Sequence, residues 1–350
     1  MNKPPCRAAI IGLGRIASLL EEDGKREKPC THAGAITANR DCFLVAGCDT
    51  DEGRRALFAE RWRVPVYADA AEMIRAQNPH FLVVATHPDS HYRYCRLAAD
   101  FRVPVVVCEK PLADTLSAAR KIANLVSHSG LTIITNHERR YSADYLKAKE
   151  IIKSGILGAI LSVRAVLYMG KQRRLLDVLW HDGTHLADVI MFLTDTSLKH
   201  RRRWGAKLSA SSGTAWLEGE AWNIPVLMEI GAGRDYYNPA PIPVVIEIGA
   251  GRDYLVFEVE FSCAKGAMRI GNGVFEVWES AESPYAEKYR SLKLSEGTAS
   301  RVFDEGPTGY FANMVSDAVA CVTEPGRQPM SSAADGLAVI EYLHSVKAWR

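Results

Sequence analysis

Hydrophobic positions in the first 135 residues come in short blocks separated by longer mixed stretches. Arg7-Ala-Ala-Ile-Ile-Gly12 is an apolar run that ends in glycine, a pattern that suits a strand buried on both faces. Phe43-Leu-Val-Ala-Gly-Cys48 is a second run and is followed by Asp49. Phe81-Leu-Val-Val-Ala-Thr86, Val103-Pro-Val-Val-Val-Cys108 and Leu131-Thr-Ile-Ile-Thr135 continue the series. Between them, Glu52–Trp62, Ala70–Gln77, His91–Asp100 and Ser117–His128 have helical periodicity. Repeated strand–helix–strand units predict a parallel, doubly wound α/β sheet, which binds ligands at the carboxyl ends of its strands.

The second half is patterned differently. A helix is expected over Tyr145–Lys153, then a turn at Ser154-Gly-Ile-Leu-Gly158, then a strand over Ile160–Tyr168. Trp180-His181-Asp182-Gly183-Thr184-His185 is expected to open a helix that continues through Leu186–Leu193. Lys199-His-Arg-Arg-Arg203 reads as a solvated basic turn, with contact to a substrate phosphate as the alternative. Pro225–Tyr236 returns 18 residues later as Pro243–Tyr254, each copy carrying Gly-Ala-Gly-Arg-Asp. Neither copy introduces a helix, so the pair reads as a duplicated sheet element, and an even offset keeps each strand's inward face inward.

Composition narrows the function. A chain of 350 residues is long enough for two domains, divided here as 1–136 for the dinucleotide and 137–350 for substrate and oligomerisation, with packing of the C-terminal helix back on the first domain as an alternative. A net charge of +2 gives no global field for nucleic acid or an anionic membrane, so neither is an expected partner. No stretch approaches the roughly 20 apolar residues of a membrane span, and Met1–Cys6 does not read as a secretory signal. Eight cysteines without a CxxC pair read as reduced, cytoplasmic and metal-free.

The candidate chemistry sits at the strand ends. Gly12-Leu13-Gly14-Arg15-Ile16-Ala17, directly after a strand and before an expected helix, is a GxGxxA turn whose backbone can approach a pyrophosphate, with the helix N-terminus favouring its charge. Asp49 can accept from both adenosine ribose hydroxyls and would repel a 2′-phosphate, which predicts NAD rather than NADP. It lies farther from the glycines than the usual spacing of about 20 residues. The polar stretch Glu21–Pro29, expected as an insertion after the first helix, accounts for the excess. Thr86-His-Pro88-Asp-Ser-His91 and Cys108-Glu109-Lys110-Pro111-Leu112 follow the next two runs. Charged residues at the end of a buried strand point to chemistry. A lysine within reach of a carbinol oxygen would stabilise developing alkoxide, while a nearby base takes the proton.

Together these motifs resemble the glucose-fructose oxidoreductase, inositol dehydrogenase and rhizopine-catabolism family, and the tail Gln328–Ser345 looks like that family's last helix. The resemblance implies a Rossmann domain followed by an α/β domain with a large, open, mostly antiparallel sheet. The implied activity is NAD(P)-dependent hydride transfer to or from a hydroxyl of a sugar, cyclitol or sugar nucleotide, in a homodimer or homotetramer. It places Gly12, Gly14, Arg15, Ile16, Asp49, Thr86, Pro88, His91, Glu109, Lys110 and His137 at the cofactor, and Arg139, Tyr141, Asp182 and His185 at the substrate. Lys110 and His185 match the family's catalytic positions, whereas His181 stands where its aspartate is expected and Asp182 lies one residue on. At a helix start Asp182 could instead be a cap. His181 and His185 also have the spacing of a metal pair, but no third ligand is evident. A non-catalytic nucleotide-binding regulator or an NAD-dependent glycosidase would share the fold, and the glycosidase would keep Lys110 and His185 too.

Overall fold

The computed structural model describes residues 5–169, 173–221, 242–250, 254–284, 290–295 and 309–348. It forms two compact units, Met1–Ala143 with Pro307–Ile340, and Asp144–Gly306 with Glu341–Arg350.

The first unit alternates β1 (Cys6–Ile11), α1 (His32–Ala38), β2 (Cys42–Cys48), α2 (Glu52–Trp62), β3 (Val66–Tyr67), α3 (Ala70–Gln77), β4 (Phe81–Val84), α4 (His91–Asp100), β5 (Val105–Cys108), α5 (Leu116–Ser129) and β6 (Thr132–Thr135). The six strands are parallel in the order β3-β2-β1-β4-β5-β6, the doubly wound sheet that the apolar runs predict. Thr31, Asp51, Asp69 and Thr115 start α1, α2, α3 and α5 by accepting a backbone N–H three residues on, as short polar side chains do at helix N-termini.

One local expectation is corrected. The glycine turn does not run into a continuous helix. Ser18 N–H reaches Gly14 O at 3.1 Å, then Leu19 and Leu20 reach back to Gly14 and Arg15 at 3.3 and 3.0 Å. A short 3-10 turn, Leu19–Glu22, follows, and α1 begins only at His32. His32 and Ala33 donate their N–H groups to Ile16 O and Ala17 O at 3.2 and 2.9 Å. The polar insertion therefore interrupts the helix after its first turn, and the carbonyls of that turn satisfy donors that a helix start would otherwise leave open.

With α1 reduced to seven residues, a later helix supplies further cover. In α9 (Tyr310–Thr323), Phe311, Met314, Val315 and Ala318 join one core with Cys6, Ile10, Ala33, Ile36, Val105 and Tyr141. Residues 309–340 thus belong to the first compact unit.

The second unit contains α6 (Ala143–Ser154), β7 (Ile160–Met169), α7 (Leu175–His181), α8 (Gly183–Thr194), β8 (Leu198–Gly205), β9 (Gly213–Ala221), β10 (Ile242–Ala250), β11 (Val256–Cys263), β12 (Gly266–Gly271), β13 (Val274–Ala281) and β14 (Ser291–Leu294). The last helix, α10, spans Ala333–Ala348. The eight strands run in the order β14-β13-β12-β11-β7-β10-β9-β8, antiparallel except for β7 with β10. Val163, Ala165, Leu167, Leu217, Ile246, Val259 and Phe261 fill one face of this sheet. On the opposite face, Arg164, Glu258, Glu260, Arg269, Glu276 and Trp278 line a concavity of about 370 Å³.

The basic run is not a turn. It lies in the edge strand β8, where Arg201 marks a bulge and forms an ion pair with the buried Glu220. Charged residues suit an edge because they discourage a further strand from adding. Of the tandem repeat, the second copy forms β10 through Ala250, while the first lies outside the described residues. No helix among the described residues is long and apolar enough to cross a membrane.

Candidate functional site

The glycine turn is shaped by two different constraints. Gly12 has φ +88°, and a Cβ there would lie 2.6 Å from Ala85 O, so the turn needs glycine to lie against the end of β4. A Cβ on Gly14 would meet nothing within 4 Å. The space over this turn of backbone amides is therefore open. Arg15 is exposed and Ile16 half-buried beside it.

Asp49 ties the turn to the end of β2. Its Oδ2 accepts Leu13 N–H at 2.8 Å and its Oδ1 accepts Asp51 N–H at 2.9 Å. The carboxylate is 8% exposed, and Arg54, half exposed, lies 3.7 Å from Oδ2. Each oxygen retains acceptor capacity for a ribose hydroxyl.

The ends of β4 and β5 are joined by His91. Its Nε2 faces Thr86 O at 3.1 Å and its Nδ1 faces Leu112 O at 3.2 Å, so both nitrogens are engaged with backbone. Burial pushes its pKa down, against the pull of those carbonyls, and a neutral ring can donate to only one of them. His91 therefore braces the Thr86 loop against the Lys110-Pro111-Leu112 loop. Ser90 Oγ donates to Thr86 Oγ1 at 2.7 Å, and Pro88 opens the short turn before α4.

Glu109 is the most heavily bonded member of this group. Its Oε1 receives His32 Nε2 at 2.7 Å and Asn136 Nδ2 at 2.6 Å, and its Oε2 accepts Lys110 N–H at 3.2 Å. Burial alone would raise its pKa, but the donors from His32 and Asn136 and the nearby Lys110 outweigh it, so the carboxyl lies below its usual range. Lys110 is half-buried and precedes a cis proline. Glu138, on the 3-10 turn Glu138–Tyr141 after β6, is pushed up by burial although Lys110 and Arg139 favour its ionised form. His137 is buried with Nδ1 3.5 Å from Ser331 Oγ. His32 and Glu138 carry no distinguishing signal in the sequence, and Asn136 stands out only as part of Asn136–Tyr141, whose Asn, Arg and Tyr suit hydroxyls and phosphates. Only the fold brings them to Glu109 and Lys110.

The residues expected at the substrate divide. Arg139 is half-buried on the same turn as Glu138. Tyr141 is wholly buried and its hydroxyl donates to Asp317 Oδ2 at 3.0 Å, so its polar end is turned into the core. Arg140 beside it pairs with Asp335 at 3.0 Å.

In the second unit the expected single helix is broken. Exposed His181 ends α7, and buried His185 sits in the first turn of α8, with Asp182 at the joint. Asp182 makes no side-chain cap, which corrects the capping expectation. Its Oδ2 instead accepts Arg173 Nη1 at 3.0 Å. The break also takes His181 and His185 off one continuous helix face. The His185 ring lies edge-on to Phe257 of β11, with centroids 6.4 Å apart.

Residues 6–137 match the model of an oxidoreductase family with an NAD-binding Rossmann fold. An inositol 2-dehydrogenase of Rubrobacter xylanophilus is 34% identical over 131 residues, covering 37% of this chain and 36% of the relative. A D-glucoside 3-dehydrogenase of Escherichia coli is 28% identical over 161 residues, or 46% of this chain and 42% of the relative. These matches thus span well under half the length of either curated relative. An Agrobacterium radiobacter oxidoreductase solved with NAD+, L-tartaric acid and magnesium aligns over 99% of this chain and 97% of its own. The TM-score is 0.67 and the identity 16%, a likeness of fold.

Proposed function

We propose that this chain, whose residues 6–137 match an oxidoreductase family with an NAD-binding Rossmann fold, is an NAD-dependent dehydrogenase of a hydroxyl on a sugar, cyclitol or sugar nucleotide. The observation that carries the reading is the grouping at the carboxyl ends of β1, β2 and β5. An open glycine turn, an acceptor carboxylate and a half-buried lysine lie there on one sheet. Free space over Gly14 supports a dinucleotide fit, with the Gly12–Ile16 turn for the pyrophosphate and Asp49 for the adenosine ribose. When bound, the nicotinamide supplies the hydride acceptor or donor.

The chain's own residues supply the rest. Lys110 holds the substrate oxygen and stabilises its negative charge, and Glu109 fixes the backbone from which Lys110 projects. In the second unit His185 is the general acid/base, because imidazole titrates nearest neutrality of any side chain. Asp182, held by Arg173, and His181 are the alternatives for orienting that proton transfer. Inositol and glucoside dehydrogenases among the relatives support a polyol substrate. A cytoplasmic homodimer or homotetramer completes the reading, and size-exclusion chromatography with light scattering tests the assembly.

A thermal-shift screen of NAD(H) and NADP(H) with sugars, cyclitols and nucleotide sugars tests the function. The expected result is stabilisation by NAD(H) and production of NADH from at least one polyol. Absence of any shift with either cofactor at millimolar concentration would overturn it.

A further inference from the structure

We propose that His32, which the interrupted first helix delivers to the sheet, is a positioning residue for the Glu109–Lys110 pair. The inference rests on the reading of Lys110 as the residue that holds the substrate oxygen. His32 is fully buried, and its Nε2 lies 2.7 Å from Glu109 Oε1. Its Nδ1 meets no hydrogen-bond partner among the described residues, and its ring lies edge-on to Phe311 at 5.0 Å. A proton on Nδ1 would be buried without an acceptor, so Nε2 carries the donated proton. Asn136 Nδ2 donates to the same oxygen at 2.6 Å. The other oxygen receives the backbone N–H of Lys110 at 3.2 Å. Two side-chain donors on one oxygen thus leave the second free to fix the residue that carries the amine.

The insertion places His32 with some care. Glu21 accepts Thr31 Oγ1 at 2.6 Å and Cys30 N–H at 3.2 Å, which sets the start of α1. A Cβ on residue 34 would collide with that carboxylate, so Gly34 lets Glu21 lie over the first turn. His32 follows immediately after Thr31, and its own N–H is held by Ile16 O at 3.2 Å. The path runs from Glu21 through Thr31 and His32 to Glu109, and from there to Lys110.

This arrangement makes the ionised form of Glu109 the working form. Around it are His32 from α1, Asn136 at the end of β6, Lys110 and Cys108 in its own strand end, His91 from α4 and Glu138 from the following turn. Activity that needs the carboxylate is present above its pKa and is lost as pH falls through it. Removal of the His32 donor leaves burial less opposed, so the carboxyl titrates higher and the acid limb moves toward neutrality.

The test compares wild type with His32→Leu, His32→Gln and Asn136→Ala. Carbon-13 NMR of labelled glutamate, with Glu109→Gln for assignment, follows the Glu109 carboxyl in cofactor-free protein. Single-turnover hydride transfer against pH and NAD titration are measured alongside. In His32→Leu the carboxyl is expected to titrate higher and hydride transfer to slow roughly tenfold or more, as for other residues that orient a reacting group. NAD affinity should stay within about twofold, a small fraction of the 1.4 kcal/mol in a tenfold change. His32→Gln, whose amide can donate to the same oxygen, should restore both titration and rate. Asn136→Ala should move both in the direction of His32→Leu and serves if the leucine variant does not fold. A folded His32→Leu with unchanged Glu109 titration, or with the wild-type rate and pH profile, overturns the proposal. A wild type that transfers no hydride with any polyol sinks the functional reading instead, and the NMR titration then decides the His32–Glu109 coupling by itself.

Discussion

Tyr141 donates its hydroxyl to Asp317 Oδ2 at 3.0 Å, although the two stand 176 positions apart in the chain. Asp317 also accepts Met330 N–H at 2.9 Å and Arg327 Nη2 at 3.1 Å, so one buried carboxylate gathers three segments of the first unit. Burial and that carboxylate push the phenol well above its usual range, which suits a structural donor. Tyr141→Phe should destabilise the protein by about 1.5–3 kcal/mol, the scale of one buried hydrogen bond to a charged acceptor. Turnover and KM should not change. Urea unfolding and steady-state kinetics check this. A raised KM at unchanged stability would return Tyr141 to the substrate.

The two glycines of the turn should separate stability from binding. Gly12→Ala forces a side chain to φ +88° and against Ala85 O, with an expected cost of about 1–3 kcal/mol. Gly14→Ala should leave the melting temperature almost unchanged, because the new methyl meets no protein atom. It occupies the space assigned to the pyrophosphate, so NAD affinity should fall about tenfold or more, near 1.4 kcal/mol. Equal NAD binding by Gly14→Ala and wild type would refute the assignment of that space.

Asp49 is expected to set cofactor choice. Its carboxylate would repel a 2′-phosphate, so NAD should bind more tightly than NADP, and Asp49→Ser should narrow the gap. Arg54, 3.7 Å away and half exposed, would then be available to the phosphate. Dissociation constants for both cofactors in both proteins provide the check. Tighter NADP binding by wild type would count against the reading.

His185→Ala should lose about 10²–10⁴ in turnover while NAD affinity barely changes, as for removal of a general acid/base. Asp182→Asn should lose less, with some stability, because its partner Arg173 is left with a weaker acceptor. The decisive comparison is single-turnover hydride transfer against pH. A variant with the wild-type rate and profile would move the base to Lys110 or His181.

Two histidines should make the fold acid-sensitive. Burial lowers the pKa of His91 and takes that of His200 down to about 4. An unfolded histidine titrates near 6.5, so below that pH the unfolded chain binds protons that these two folded sites refuse. The contribution of His200 is complete above about pH 6.5 and declines toward pH 4, by at most about 1.4 kcal/mol per unit, and that of His91 declines in the same direction. Denaturant midpoints at about pH 7.5 and about pH 5 should show the loss, and His200→Gln should flatten part of it. A wild type equally stable at both would contradict the sign.

The strand ends were legible in the sequence because buried parallel strands leave continuous apolar runs whose polar terminators stand out. Gly12, Asp49, Thr86 and Lys110 all follow such runs. The helix α9 also had a readable signal in Phe311, Met314, Val315 and Ala318, spaced at i, i+3, i+4 and i+7. That spacing predicts an apolar face but does not say which unit it covers. The helix break at Asp182 was not legible. Local periodicity is nearly continuous from Leu175 to Leu193, and the turn shows only in the backbone of Asp182.

By itself the sequence determined the α/β class, the order of the first strands and the glycine turn, since these depend on residue type and near-neighbour spacing. Tertiary structure decided which polar groups meet. His32 and Glu109 are 77 residues apart, and an interrupted helix followed by folding of the parallel sheet brings them to 2.7 Å. It also decided that Tyr141 faces Asp317 in the core, because a tyrosine has an apolar body and a polar tip and either can be satisfied by burial. Contacts of that kind depend on where distant elements pack, a property of three dimensions that periodicity along one chain does not encode.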